Sequence, residues 1–127
     1  MDTRKALIDL TGALRDLHHA LVQVQRHKYE KEWGSVDPGT LLQLLTRHPE
    51  FDWLHVLSEF MAGVDTMADD PQVTPEDVRS IYKQARDMLT PGTENTTAFS
   101  DRYLAALQDN PSAVMALAAV RRVLGAS

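Results

Sequence analysis

Cysteine is absent from the 127 residues. That excludes a disulfide scaffold, thiolate zinc sites and thiol catalysis, and it suits a reducing compartment. Also missing is any run approaching the roughly 18 apolar residues of a membrane span. Met1-Asp2-Thr3-Arg4-Lys5 leads straight into a charged amphipathic pattern without the apolar stretch of a signal peptide, so a cytoplasmic location is expected. Positive charge is short as well. Thirteen Lys and Arg against 18 Asp and Glu leave a formal charge of -5, which opposes non-specific binding to phosphate backbones. The basic features that remain are Arg121-Arg122 and one face of a helix carrying Arg79, Lys83 and Arg86. A DNA-associated reading would hang on those five, and no nucleic-acid partner is expected. No stretch alternates polar and apolar residues with β-branched enrichment, so no sheet is predicted. Gly-x-Ser-x-Gly, the P-loop and the dinucleotide fingerprint are all absent, and no catalytic residue is assigned.

What is present is a globular composition, 43% hydrophobic and 24% charged, in a chain long enough for one core and too short for two. A single domain over residues 1–127 is expected. Leu7, Leu10, Leu14, Leu17, Leu21 and Val24 recur at alternating spacings of three and four, the seam of one long helix over about residues 3–33. Asp2 or Thr3 can cap its start and Gly34 can end it. A second apolar stripe, Ile8, Val22, Tyr29 and Trp33, lies roughly 80–150° round the helix from the first, using about 100° per residue. Two stripes imply contact on two sides.

Asp37-Pro38 opens a short second helix through Leu41, Leu42, Leu44 and Leu45, ending near Arg47-His48 because Pro49 disfavours helical geometry at its predecessor. Pro49 starts a third helix over about 50–69. Its wide arc of Trp53, Leu54, Leu57, Phe60, Met61, Val64 and Met67 marks it as the candidate central helix. Thr74-Pro75-Glu76-Asp77 is the clearest start signal in the chain. The helix it opens carries Val78, Ile81, Tyr82, Ala85, Met88 and Leu89 on one face. After a loop from Thr90 to Thr97, a fifth helix spans about 98–109. A sixth, from about Ser112 to Leu124, is apolar nearly all round and so is read as internal or part of a subunit interface. The Asn95-Thr96-Thr97 triplet is read as solvated loop. The predicted fold is all-α: a bundle of about four main helices plus one or two short ones, with a long N-terminal helix.

Leu17-His18-His19-Ala20-Leu21, Tyr29-Glu30 and the segment from Phe51 to Ser58 resemble a family of small, uncharacterised bacterial helical proteins. In that family a Leu-His pair precedes a Tyr-Glu pair on the first helix, and a later segment reads Asp-Pro-x-Phe-x-Trp-Leu-Arg-Pro-Leu-Ser. The likeness covers roughly the first half of the chain. His48 stands where the family tends to have Asp, and His55-Val56 replaces Arg-Pro, so any role of that Arg is lost here. The resemblance implies a helical fold and, since the family has no assigned activity, implies no chemistry.

Five histidines, His18, His19, His27, His48 and His55, are titratable, metal-capable side chains. Asp16-x-x-His19 and Asp52-x-x-His55 have the spacing that puts carboxylate and imidazole on one helical face. Both pairs should face water, though, whereas a bundle metal site faces inward, so no metal and no cofactor is assigned. His18 sits at the edge of the core-facing arc. The plainer reading is a boundary histidine hydrogen-bonded to Asp65 or Tyr29, and it is preferred because buried polar groups are normally paired. The sharper one makes His18, Tyr29, Glu30 and Asp65 the polar groups of an interhelical pocket walled by Trp33 and Trp53, in a small-molecule-binding or catalytic bundle. Trp33, Trp53, Phe51 and Phe60 read as core rather than as a ligand box. The leading functional expectation is a non-enzymatic helical interaction or regulatory module whose partner is another protein or, as a homodimer, itself. It rests on the second stripe of the first helix and on the last helix.

Overall fold

Asp2 holds the first turn of the chain in place: its carboxylate accepts from the Lys5 N–H at 3.0 Å. The helix it caps, α1, runs Thr3–Trp33 and ends at Gly34, whose φ of 90° suits a residue without Cβ and whose N–H returns to the Glu30 carbonyl. In the computed structural model, which describes residues 2–90 and 98–125, α2 (Pro38–Arg47) and a 3-10 segment (Pro49–Leu54) follow. Then come α3 (His55–Ala68), α4 (Pro75–Leu89), α5 (Ala98–Asp109) and α6 (Pro111–Gly125). The described residues contain no strand, and none of their helices is long and apolar enough to cross a membrane. The all-α fold with a long first helix is thus as expected. The loop expected after Thr90, including Asn95-Thr96-Thr97, lies outside the described residues.

The central helix is α1, which corrects the expectation that the third helix would be. Leu7, Leu10, Leu14, Leu17 and Leu21 are completely buried, and α6 and α3 pack along them while α4, α5 and the 3-10 segment add further contacts. On α3 only Leu57, Val64 and Ala68 are buried; Phe60, Met61 and Met67 are half-buried, because that helix meets the core with one side.

The third helix also begins differently from its sequence pattern. His48 Nδ1 accepts from the Glu50 N–H at 3.1 Å, and the Phe51 N–H bonds the His48 carbonyl at 3.0 Å. This tightens Pro49–Leu54 into 3-10 geometry before the α-helix starts. A turn of three residues aligns Phe51 with Leu54, and both are completely buried, with Trp53 beside them.

Tertiary hydrogen bonds tie the remaining helices to this frame. Thr74 and Asp77 form a reciprocal capping box at the start of α4, with bonds of 3.1 and 3.0 Å. The Tyr82 hydroxyl donates to the Ala6 carbonyl at 2.8 Å, joining α4 to α1 across 76 positions of sequence. Tyr103 on α5 donates to Leu89 O at 2.7 Å, and burial pushes its phenol well above the usual range. Phe99 stacks on Tyr103 and tilts against Trp53, so α5 meets the core through aromatic rings.

The second stripe of α1 divides. Val22 is buried and Tyr29 half-buried, whereas Ile8 and Trp33 are 51% and 69% exposed. On α6 the residues Ala113, Leu117, Val120 and Leu124 are buried, while Val114 and Met115 remain on the surface.

Candidate functional site

The six side chains expected to form a pocket stand in different places. His18 is half-buried on α1 and lies within electrostatic reach of His55. Burial is the main cause that lowers its pKa below 6.5, with His19 and His55 adding to it. Among the described residues it makes no hydrogen bond, so the bond to Asp65 or Tyr29 is not formed. Asp65 is exposed on α3. His55 was expected to face water; instead its Nε2–H donates to the Leu45 carbonyl, closing the end of α2 onto the start of α3.

Tyr29 belongs to a ring cluster at the far end of α1, with His48 at 5.5 Å, Phe51 at 6.0 Å and Trp33 at 6.4 Å between centroids. Glu30 turns to the α1–α2 connection, where its Oε2 accepts the Val36 N–H at 2.8 Å, and Arg26 donates to the Val36 carbonyl. The Arg26 Nε lies 3.7 Å from Glu30 Oε2, too far to bond, so this pair grips Val36 more than it grips itself. Trp53 is buried and donates from Nε1 to Gln25 Oε1 at 2.9 Å. The expected convergence therefore does not occur. His18 and Tyr29 share a helix eleven residues apart, which is about 16 Å of rise, more than one small pocket spans. Among the described residues no three metal-capable side chains come together.

What the fold does form is a cleft of about 270 Å³ between the C-terminal half of α1 and α5. Its polar groups are Gln25, His27, Lys28, Lys31, Arg102 and Asn110, and Val24, Trp53 and Ala106 supply apolar wall. Among the described residues no carboxylate lines it, in a chain where acids outnumber bases 18 to 13. Among the described residues Lys28, Lys31 and Arg102 form no ion pair. His27 is drawn the other way, its Nδ1 being 3.8 Å from Glu30 Oε1. At the floor Gln25 is only 3% exposed; its oxygen is taken by Trp53, and its amide nitrogen has no protein partner among the described residues.

The signal for this cleft lay in the heptad register. Continuing Leu14, Leu17, Leu21 and Val24 by the same alternation of four and three leads to Lys28 and then Lys31. The seam that is leucine in the core turns cationic where α1 passes α5. Gln25, one turn after Leu21, is a polar residue on the same inward face. Of the other basic candidates, Arg79 pairs with Glu76 at 2.9 Å, and Arg86 donates to the Leu124 carbonyl.

Compared with models of protein families, with curated proteins and with solved structures, the chain matches none. The family likeness of its first half rests on the quoted residues alone.

Proposed function

We propose that this chain is a non-enzymatic helical interaction module that pairs with a second copy of itself through α2. The observation that supports this most is that α2 carries four leucines in ten residues and fully buries none of them, Leu41, Leu44 and Leu45 being half-buried against the core. Leu42 is 63% exposed, and the preceding helix ends in Trp33, which is also exposed. Large apolar side chains left in water by a small bundle mark a contact surface.

The choice of a second copy over an unlike protein follows from charge. The whole molecule carries -5, so two copies repel over most of their surfaces. From Pro38 to Thr46, however, no residue is charged. A row of leucines on an uncharged helix can lie across its own image about a two-fold axis without opposing like charges. The same reading makes the protein a cytoplasmic regulatory or scaffolding part, without a nucleic-acid partner.

Sedimentation equilibrium at micromolar concentration tests it. A dimer is expected for the native chain, and Leu42→Asp is expected to give a monomer with unchanged helical circular dichroism. A native chain that stays monomeric, or a Leu42→Asp variant that stays dimeric, overturns the proposal.

A further inference from the structure

We infer that the cleft between α1 and α5 binds a small organic or inorganic anion, a carboxylate or a phosphate, through Lys28, Lys31, Arg102 and the amide of Gln25. This stands apart from the self-association proposed above and uses none of its residues.

Several observations converge on that chemistry. Lys28 and Lys31 are spaced i, i+3 on one helix, and like charges so placed destabilise it unless negative charge lies near them. Arg102 adds a third cation from the opposite wall. Among the described residues no carboxylate lines the cleft to compensate them. The amide nitrogen of Gln25 has no protein partner among the described residues and reaches solvent from a residue that is otherwise buried and lines the cleft. Trp53 fixes the Gln25 oxygen, which leaves the amide nitrogen as the end available to a ligand oxygen. Three cations and a neutral donor around one space make donors and positive charge predominate, and the complement of such a site is an anion with several acceptor oxygens.

Size narrows the class. At about 270 Å³ the cleft falls just under the ~300–1,000 Å³ typical of pockets for drug-sized ligands. It suits inorganic phosphate or a short-chain carboxylate, whose methylenes would meet Val24 and Ala106.

Trp53 lines the cleft and serves as a reporter once Trp33, the other of the two tryptophans, is replaced. In a Trp33→Phe background, inorganic phosphate and butyrate are titrated separately at constant ionic strength held with chloride. A saturable change in Trp53 emission with either one is expected; which of them saturates assigns the anion as phosphate or carboxylate, and saturation by both assigns shared oxyanion chemistry. Arg102→Gln is expected to weaken binding about tenfold, the loss of one charge-assisted hydrogen bond. The double change Lys28→Gln with Lys31→Gln is expected to abolish saturation. All three side chains are exposed, so these variants should fold, and an unchanged thermal transition checks that they do. If neither anion gives a saturable signal, or if the double variant binds as well as its parent, the inference is overturned. An effect of the lysines on the thermal transition alone would mark them as compensators of the α1 C-terminal dipole and would equally overturn it.

Discussion

Two leucine-rich helices follow one another in this chain and meet opposite fates. On α1 five seam leucines are wholly removed from water; on α2, which follows after four intervening residues, Leu41, Leu44 and Leu45 are only half-buried and Leu42 is exposed. Both carry leucines at helical spacing, so patterning alone does not decide burial. Neighbours do. Packed by α6 and α3 and touched by α4 and α5, α1 is covered along its length, whereas α2 rests chiefly on the 3-10 segment. An apolar stripe states that a helix needs a partner, and the number of partners the rest of the chain supplies decides whether the need is met within one molecule.

The contrast can be broken by substitution. Leu14→Ala should cost about 2–5 kcal/mol in urea unfolding, since it empties a completely enclosed site. Gln25→Leu should cost about 1–3 kcal/mol, because it strands the buried Trp53 N–H, and adding Trp53→Phe should recover part of the loss. Tyr103→Phe removes the bond to Leu89 and should cost about 1 kcal/mol, read from the same unfolding curves.

A smaller effect is carried by pH. The native pKa of His18 lies below 6.5, so between 6.5 and that lower value the unfolded chain binds more protons than the folded one. The contribution of the neutral imidazole is therefore complete above pH 6.5 and is lost as pH falls through the native value. The facing groups that reinforce this are His19 on the same helix and His55 on α3. His18→Gln should flatten the dependence of the urea midpoint on pH across that window.

Smallest of all, Leu42→Ala should change stability by no more than about 0.5 kcal/mol at concentrations where the chain is monomeric. A cost matching that of Leu14→Ala would show that α2 is covered after all.

Much of this architecture was legible in the residues. Asp2 and Gly34 bounded the first helix, and Thr74 with Asp77 announced the fourth, because caps are local chemistry. The 3-10 segment was not legible, since Pro49 signals where a helix begins but not its pitch. Nor was the identity of the central helix, which depends on how many elements dock on it. The expected pocket failed for a reason open to inspection: residues on one face of a helix need not be near one another, and His18 and Tyr29 are separated by about three turns. The α1–α5 cleft was written in the register of the leucine seam, at Lys28 and Lys31, but such a change of residue type becomes a site only when α5 supplies the other wall.

The grip of Arg26 and Glu30 on Val36 has its own consequence. A guanidinium holds a carbonyl oxygen and a carboxylate holds an N–H, so the two side chains sense the direction of the peptide unit between them. Trading their places, Arg26→Glu together with Glu30→Arg, would keep the net charge and keep two opposite charges one helical turn apart. It would also set oxygen against oxygen and nitrogen against nitrogen at Val36. The joint between the first two helices is therefore keyed like a polarised plug, and reversing its contacts leaves the second helix without its bearing.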